Sequence, residues 1–182
     1  MSNIIYKTAD TNVELYQILE LQRKNLSFAI TEKERSREGF LTVHHDFELI
    51  KTMNNACAHS IAVYEGKVVG YALSMAKNFR KDIELLNPMF ENIEKNLPLD
   101  VSYIVMGQIC VDKSYRKQGI FRGLYEFMKR QMQHTFDLII TEVDKKNNRS
   151  MNAHHAVGFK PLYSYRSNDQ DWEILSLNTN PN

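Results

Sequence analysis

Gln108-Ile-Cys-Val-Asp-Lys-Ser-Tyr-Arg-Lys-Gln-Gly-Ile-Phe-Arg-Gly-Leu-Tyr125 is the stretch from which the rest of the chain can be read. It opens as the end of a β-rich run, Val101 to Val111, and passes through a polar, basic turn, Asp112 to Gly119. It then turns helical: Ile120, Phe121, Leu124, Met128 and Met132 recur at helical spacing, with Arg122, Glu126, Lys129 and Arg130 on other faces. The first amides of a helix have no intrahelical acceptor, and the helix dipole places positive potential beside them. A basic loop with a glycine leading into such a helix is a receptor for a phosphate or pyrophosphate. Gly119 allows close approach of the backbone, and Arg116 and Lys117 add charge. The Gly-Lys-Ser/Thr of a Walker loop is missing here, as is the three-glycine dinucleotide fingerprint. Nucleotide hydrolysis and hydride transfer are weakened accordingly.

Arg116-Lys-Gln-Gly119-Ile-Phe121, with its lead-in Val111 to Tyr115, resembles the acyl-CoA-binding motif of the GNAT superfamily of acetyltransferases, Arg/Gln-x-x-Gly-x-Gly/Ala. A second segment, Asn147-Asn-Arg-Ser150-Met-Asn-Ala-His154-His-Ala-Val-Gly158-Phe159, is similar to the later motif of that superfamily. The resemblance implies an acetyl-CoA-dependent N-acetyltransferase. Backbone amides of Gln118, Gly119, Ile120, Phe121 and Arg122 would hold the CoA pyrophosphate. The strand Ile109, Cys110 and Val111 would lend its backbone to the pantetheine arm, with an edge splayed open to admit it. Phe121 departs from the pattern, standing where Gly or Ala is usual, although the amide donor survives any side chain. Asn147 and Ser150 would contact the CoA arm; Asn147 has an equally good role as a helix cap. The superfamily often places a Tyr acid at the position of His154, where imidazole can donate a proton, or the residue serves only to contact the cofactor or fill space.

Outward from these motifs, Ile4 to Thr8 alternates as a strand. Thr11-Asn-Val-Glu14 is a capping-box pattern that starts a helix reaching about Lys24. Ser27 to Gly39 is charged and weakly periodic, and reads as a mobile connection or frayed helix. His45 to Asn54 reads as a short helix. Ser60 to Glu65 and Lys67 to Ala76 read as strands of a hairpin in which Gly66 supplies positive φ. Asp82 to Asn96 has helical character interrupted by Pro88, which should end, kink or restart the helix there. Asp137 to Val143 is a strand, Arg149 to Val157 a helix closed by Gly158, and Phe159 to Tyr165 and Trp172 to Leu177 are strands. Asn178 to Asn182 reads as a loose tail. These elements predict one α/β (α+β) domain spanning residues 1–182, with a mixed central sheet of about seven strands flanked by helices.

The 182 residues carry a formal net charge of +1, so no chain-wide field favours nucleic acid or an acidic membrane surface. No signal-peptide pattern or membrane-length apolar run is present, and Cys57 and Cys110 read as buried thiols in a reducing cytoplasm. His44-His45 and His154-His155 lack metal-site spacing, and no metal is expected. For acyl transfer to an amine, Glu142, at the end of the strand after the CoA helix, is a candidate base, with water-mediated deprotonation or no dedicated base as alternatives. His44, His45 and Glu84 lie where an acceptor site could be lined. Cys110, in an apolar run, is a weak nucleophile candidate. The expected partners are acetyl-CoA or CoA and an amine of unspecified identity; the strand-exposing C-terminus permits a homodimer. A second reading keeps the same fold as a non-catalytic acyl-CoA sensor or partner-binding module.

Overall fold

Thr11 starts the first helix as its sequence predicts. Its hydroxyl accepts from the Glu14 amide at 3.2 Å while the Glu14 carboxylate accepts from the Thr11 amide at 3.1 Å, two orphan donors satisfied reciprocally. The computed structural model describes residues 3–26, 41 and 43–180. The expectation for Ser27 to Gly39 lies outside these residues.

Among the described residues the strands are β1 (Ile5–Thr8), β2 (Ser60–Tyr64), β3 (Lys67–Met75), β4 (Tyr103–Val111), β5 (Leu138–Asp144), β6 (Lys160–Ser167) and β7 (Gln170–Asn178). The helices are α1 (Asn12–Arg23), α2 (Phe47–Ala56), α3 (Asn87–Asn96), α4 (Ile120–Met132) and α5 (Asn148–Ala156). The strands form one seven-stranded mixed sheet in the order β1-β2-β3-β4-β5-β7-β6, the α/β architecture expected. No helix among the described residues is long and apolar enough to cross a membrane. Two compact units can be distinguished, residues 1–74 with 108–128 and residues 75–107 with 129–182.

In the first unit β1, β2 and β3 pair antiparallel. Glu65 and Gly66 both take positive φ, 48° and 76°, at the β2–β3 turn, so the strain-prone conformation extends to a non-glycine residue. One core cluster joins Leu15, Ile18 and Leu21 of α1 and Ile50 of α2 to Ile61, Tyr71, Leu73 and Cys110 of the sheet. The second helix starts later than the sequence suggests. Asp46 is its N-cap, its side chain accepting from the Leu49 amide at 2.8 Å, and so His45 stays outside. The other cluster seats Ile120 and Leu124 of α4 on Ala62 and Val69. Gly70 makes that seat close: a Cβ there would lie 3.1 Å from the Ile120 side chain and 3.3 Å from the Cys110 carbonyl. The Tyr6 ring fills the place where a Cβ of Gly123 would project.

In the second unit Pro88 stands in the first turn of α3, restarting the helix there as one of the expected outcomes had it. Its missing amide is harmless in a first turn, where no intrahelical acceptor exists. Two short 3-10 turns, Lys77–Lys81 and Glu84–Leu86, precede it. β4 pairs in parallel with β5 from Tyr103↔Leu138 to Val105↔Ile140. β5, β7 and β6 are antiparallel, and Asn168 and Asp169 make the β6–β7 turn with φ of 50° and 58°. The C-terminal tail is anchored further than its composition suggests. β7 runs to Asn178, and the buried Thr179 hydroxyl donates to the carbonyls of Phe136 and Asp137.

Gly70→Val places methyls against the Cys110 carbonyl and Ile120, and overpacking of this kind costs about 1–3 kcal/mol. Urea unfolding should show that loss; an unchanged midpoint would mean that α4 is not seated through this contact.

Candidate active site

The turn between β4 and α4 is shaped by its backbone. Asp112 donates its amide to the Val69 carbonyl at 2.8 Å, and its carboxylate accepts from the Ser114 amide at 2.9 Å. A short 3-10 turn, Lys113–Tyr115, follows. Tyr115 packs on the Val69 cluster and tilts against Tyr64, with ring centroids 5.6 Å apart. Lys117 and Gly119 then take left-handed φ, 61° and 82°, on either side of Gln118. Such alternation turns successive amides into one concavity, a nest for an anion, and here it opens directly into the α4 N-terminus. Lys117, Gln118 and Gly119 are exposed, as is Arg122, whereas Ile120 is buried. A Cβ on Gly119 would meet nothing within 4 Å, so its outer side is open. Phe121, the departure from the motif, packs edge-on against Tyr125 at 5.2 Å, which directs its side chain into helix packing while its amide stays in the first turn.

Arg116 does something the sequence did not suggest. Its Nε donates to the Val111 carbonyl at 3.1 Å and its Nη2 to Asn25 Oδ1 at 2.8 Å. It braces the turn against the end of α1, in addition to any charge it lends. Ile109 and Val111 pack partly buried on the Val69 cluster, whereas Cys110 points into the α1–α2 core. Burial pushes the Cys110 thiol up to about 12, so it is not a nucleophile at neutral pH.

Next to Cys110 along β4, Gln108 is the hub of a buried polar network. Its Oε1 accepts from Tyr71 OH at 2.6 Å and from Gln22 Nε2 at 2.7 Å, and its Nε2 donates to the Val43 carbonyl at 2.9 Å. Gln22 Nε2 also donates to His45 Nδ1 at 2.8 Å, and Gln22 Oε1 accepts the His45 amide at 2.9 Å. His45 is thereby a buried neutral imidazole, not an exposed acceptor-site base; burial holds it down to about 4. Gln22 could have been suspected from sequence, since it falls on the same apolar stripe as Leu15 and Ile18. His44 lies beside it on the same segment, and Glu84 is exposed in the short 3-10 turn of the second unit.

The second unit holds the other sequence-derived residues. Asn147 is the N-cap of α5, its Oδ1 accepting from the Ser150 amide at 3.1 Å. His154 is 2% exposed and stands edge-on to Phe159. Its Nδ1 donates to the Ser150 carbonyl at 2.7 Å, beside Ser150 Oγ at 3.3 Å. Burial holds the imidazolium down to about 4. At neutral pH His154 therefore carries one proton, and that proton is committed to the helix backbone. This geometry supports the space-filling role, the alternative to an acid. Glu142 differs: it is partly buried on β5, and Tyr165 OH of β6 donates to its Oε2. Burial raises this carboxyl to about 7, with the Tyr165 hydrogen bond opposing the rise. Tyr165 escaped the sequence reading because its partner is 23 residues away and no local pattern marks it. Among the described residues no group of three or more His, Cys, Asp or Glu is arranged to hold a metal ion.

Residues 15–159 match the family model described as the Acetyltransferase (GNAT) family. The chain belongs to that family. Solved structures share the fold at low identity. NAA60 of Arabidopsis thaliana in complex with acetyl-CoA is 12% identical with a TM-score of 0.68, covering 97% of this chain and 99% of that one. yncA of Salmonella typhimurium with its cofactor acetyl-CoA is 13% identical with a TM-score of 0.63, covering 98% and 95%. The ribosomal-protein-S18-alanine N-acetyltransferase of Escherichia coli is 16% identical with a TM-score of 0.58, covering 98% and 96%. No curated protein matches the chain significantly by sequence.

The buried histidines make stability depend on pH. His45, His59 and His154 are each held to about 4, against an ordinary 6.5. Their contribution is full above pH 6.5 and is lost as pH falls toward 4, each by about 1.4 kcal/mol per pH unit. Glu142, raised from 4.5 to about 7, has the opposite sign: it stabilises at low pH and loses that contribution as pH rises from 4.5 to 7. Three groups against one leave a net loss on acidification. Thermal unfolding should therefore show a lower midpoint at pH 5 than at pH 7, and an equal or higher one would contradict the neutral burial of these rings.

Proposed function

We propose that this protein is an N-acetyltransferase that moves an acetyl group from acetyl-CoA to a primary amine by direct attack, and that residues 1–182 act as one domain in doing so. The observation that carries the reading is the left-handed pair Lys117 and Gly119 feeding the α4 N-terminus, an amide nest suited to a pyrophosphate. Family membership over residues 15–159, and acetyl-CoA in the NAA60 and yncA structures, support acetyl-CoA as the donor. The amides of Gln118 through Arg122 take the pyrophosphate, exposed Lys117 and Arg122 add charge, and the Ile109–Val111 backbone receives the pantetheine arm.

The thiols support direct transfer. Burial raises both Cys57 and Cys110 above the ordinary thiol range, so neither offers a thiolate to carry the acetyl group. The amine nitrogen attacks the thioester carbonyl carbon, the C–S bond breaks, and CoA leaves as thiolate and takes up a proton. The amine must first lose a proton. Glu142 is the group for it, because a carboxyl near 7 is half ionised at neutral pH and accepts a proton at little cost.

Calorimetric titration tests the donor site. Gly119→Glu puts a negative side chain in open space beside the nest, and at φ 82° it costs about 1–2 kcal/mol of backbone strain. The variant should keep the wild-type circular dichroism and lose acetyl-CoA affinity by about 100-fold or more, since several charge-assisted hydrogen bonds are lost together. Unchanged affinity would place the site elsewhere. Release of CoA thiol in the presence of a panel of primary amines tests turnover; acetyl-CoA binding without release for any amine would favour a sensor.

A further inference from the structure

Glu142 does not stand alone on its sheet face. The register pairs Glu142 with Ile174 and Ile174 with Tyr163, and it pairs Asp144 with Trp172 and Trp172 with Tyr165. Cross-strand partners and residues two apart on a strand share a face. Glu142, Asp144, Tyr163, Tyr165 and Trp172 therefore project from the same side, and the Tyr165–Glu142 hydrogen bond confirms that placement. Asp144 is committed to the neighbouring turns, its carboxylate accepting from the Lys146 amide at 2.8 Å and from Gln170 Nε2 at 3.4 Å. Tyr163 is 40% exposed, and Trp172 and Tyr165 are partly buried. The face thus carries Glu142, held at Oε2 by Tyr165, with Tyr163 and Trp172 on the same side of the sheet.

Resting on the acetyltransferase reading, we propose that Glu142 and Tyr165 form the receptor for the acceptor amine in its cationic form, with Tyr165 as the positioning residue that fixes the carboxylate. The phenol holds Oε2, and Oε1 accepts an ammonium N–H. Aromatic side chains on the same side, Tyr163, Tyr165 and Trp172, favour a cation with an apolar body, the combination that attracts alkylammonium groups. The proton step balances within the pair: R–NH3+ and the Glu142 carboxylate become R–NH2 and the Glu142 carboxylic acid. Tyr165 keeps its proton throughout, because burial first, and then the charge of Glu142, hold the phenol well above its ordinary range. The charge state of Glu142 is set by burial and by the Tyr165 hydrogen bond. The other titratable groups that the register places on the face are Asp144, Tyr163, Lys160 and, on β4, Tyr103.

The test follows the Glu142 carboxyl by carbon-13 NMR in the full chain with CoA present, the signal being assigned through Glu142→Gln. In wild type the titration midpoint should lie at about 7. Tyr165→Phe should raise it by about one pH unit, since a donor that favours the ionised form is gone. Ethylammonium chloride should lower the wild-type midpoint relative to potassium chloride at equal ionic strength. An unchanged midpoint in Tyr165→Phe would reduce Tyr165 to a packing residue, and identical midpoints in the two salts would overturn the ammonium receptor. If Tyr165→Phe does not fold, the wild-type comparison of the two salts decides the receptor. Failure of the acetyltransferase reading shows separately, as absent acetyl-CoA binding in calorimetry whatever Glu142 does.

Discussion

The primary amide of Gln108 is buried, and a buried amide without partners costs several kcal/mol. Its three hydrogen bonds, to Tyr71, Gln22 and the Val43 carbonyl, reach β3, α1 and the segment before α2. The same end of α1 supplies Asn25, which holds Arg116 at 2.8 Å, and Arg116 in turn holds the last carbonyl of β4. One helix end thus fixes both the strand and the turn that follows it. If the amide were misplaced, Tyr71, Gln22 and His45 would each need new partners in an apolar core. That constraint fixes the strand from which the Lys117–Gly119 turn departs.

Burial sorts the reactive groups. His45, His59 and His154 each find their hydrogen bonds inside the protein: Ser74 donates to His59 Nδ1 at 3.1 Å, and His59 Nε2 donates to the Ile50 carbonyl at 3.1 Å. Held as neutral rings, they stiffen the fold and have no proton to spare at neutral pH. Cys110 is held as a thiol. Glu142 is the exception, because partial burial moves a carboxyl toward neutrality instead of away from it. Desolvation disfavours charge in every case, and among these groups only for the carboxyl does that bring the pKa nearer to 7.

The capping box at Thr11, the β2–β3 turn at Gly66, the β4–turn–α4 unit and the α5 cap at Asn147 were all legible in sequence. Each is local: the groups that satisfy one another lie within a few residues, so spacing alone determines them. Seven strands and the GNAT resemblance followed from the same short-range patterns. The roles of Arg116, His45, His154 and Tyr165 were not legible. Arg116 and Asn25 are 91 residues apart, and Glu142 and Tyr165 are 23 apart. Burial decided the histidines, and a residue's burial is a property of what packs over it. The sequence by itself determined the elements and the turn between β4 and α4, through contacts between near neighbours. Only the tertiary structure decided which polar side chains are braces and which carboxyl is poised near neutrality, because both depend on desolvation and on partners that folding alone brings into reach.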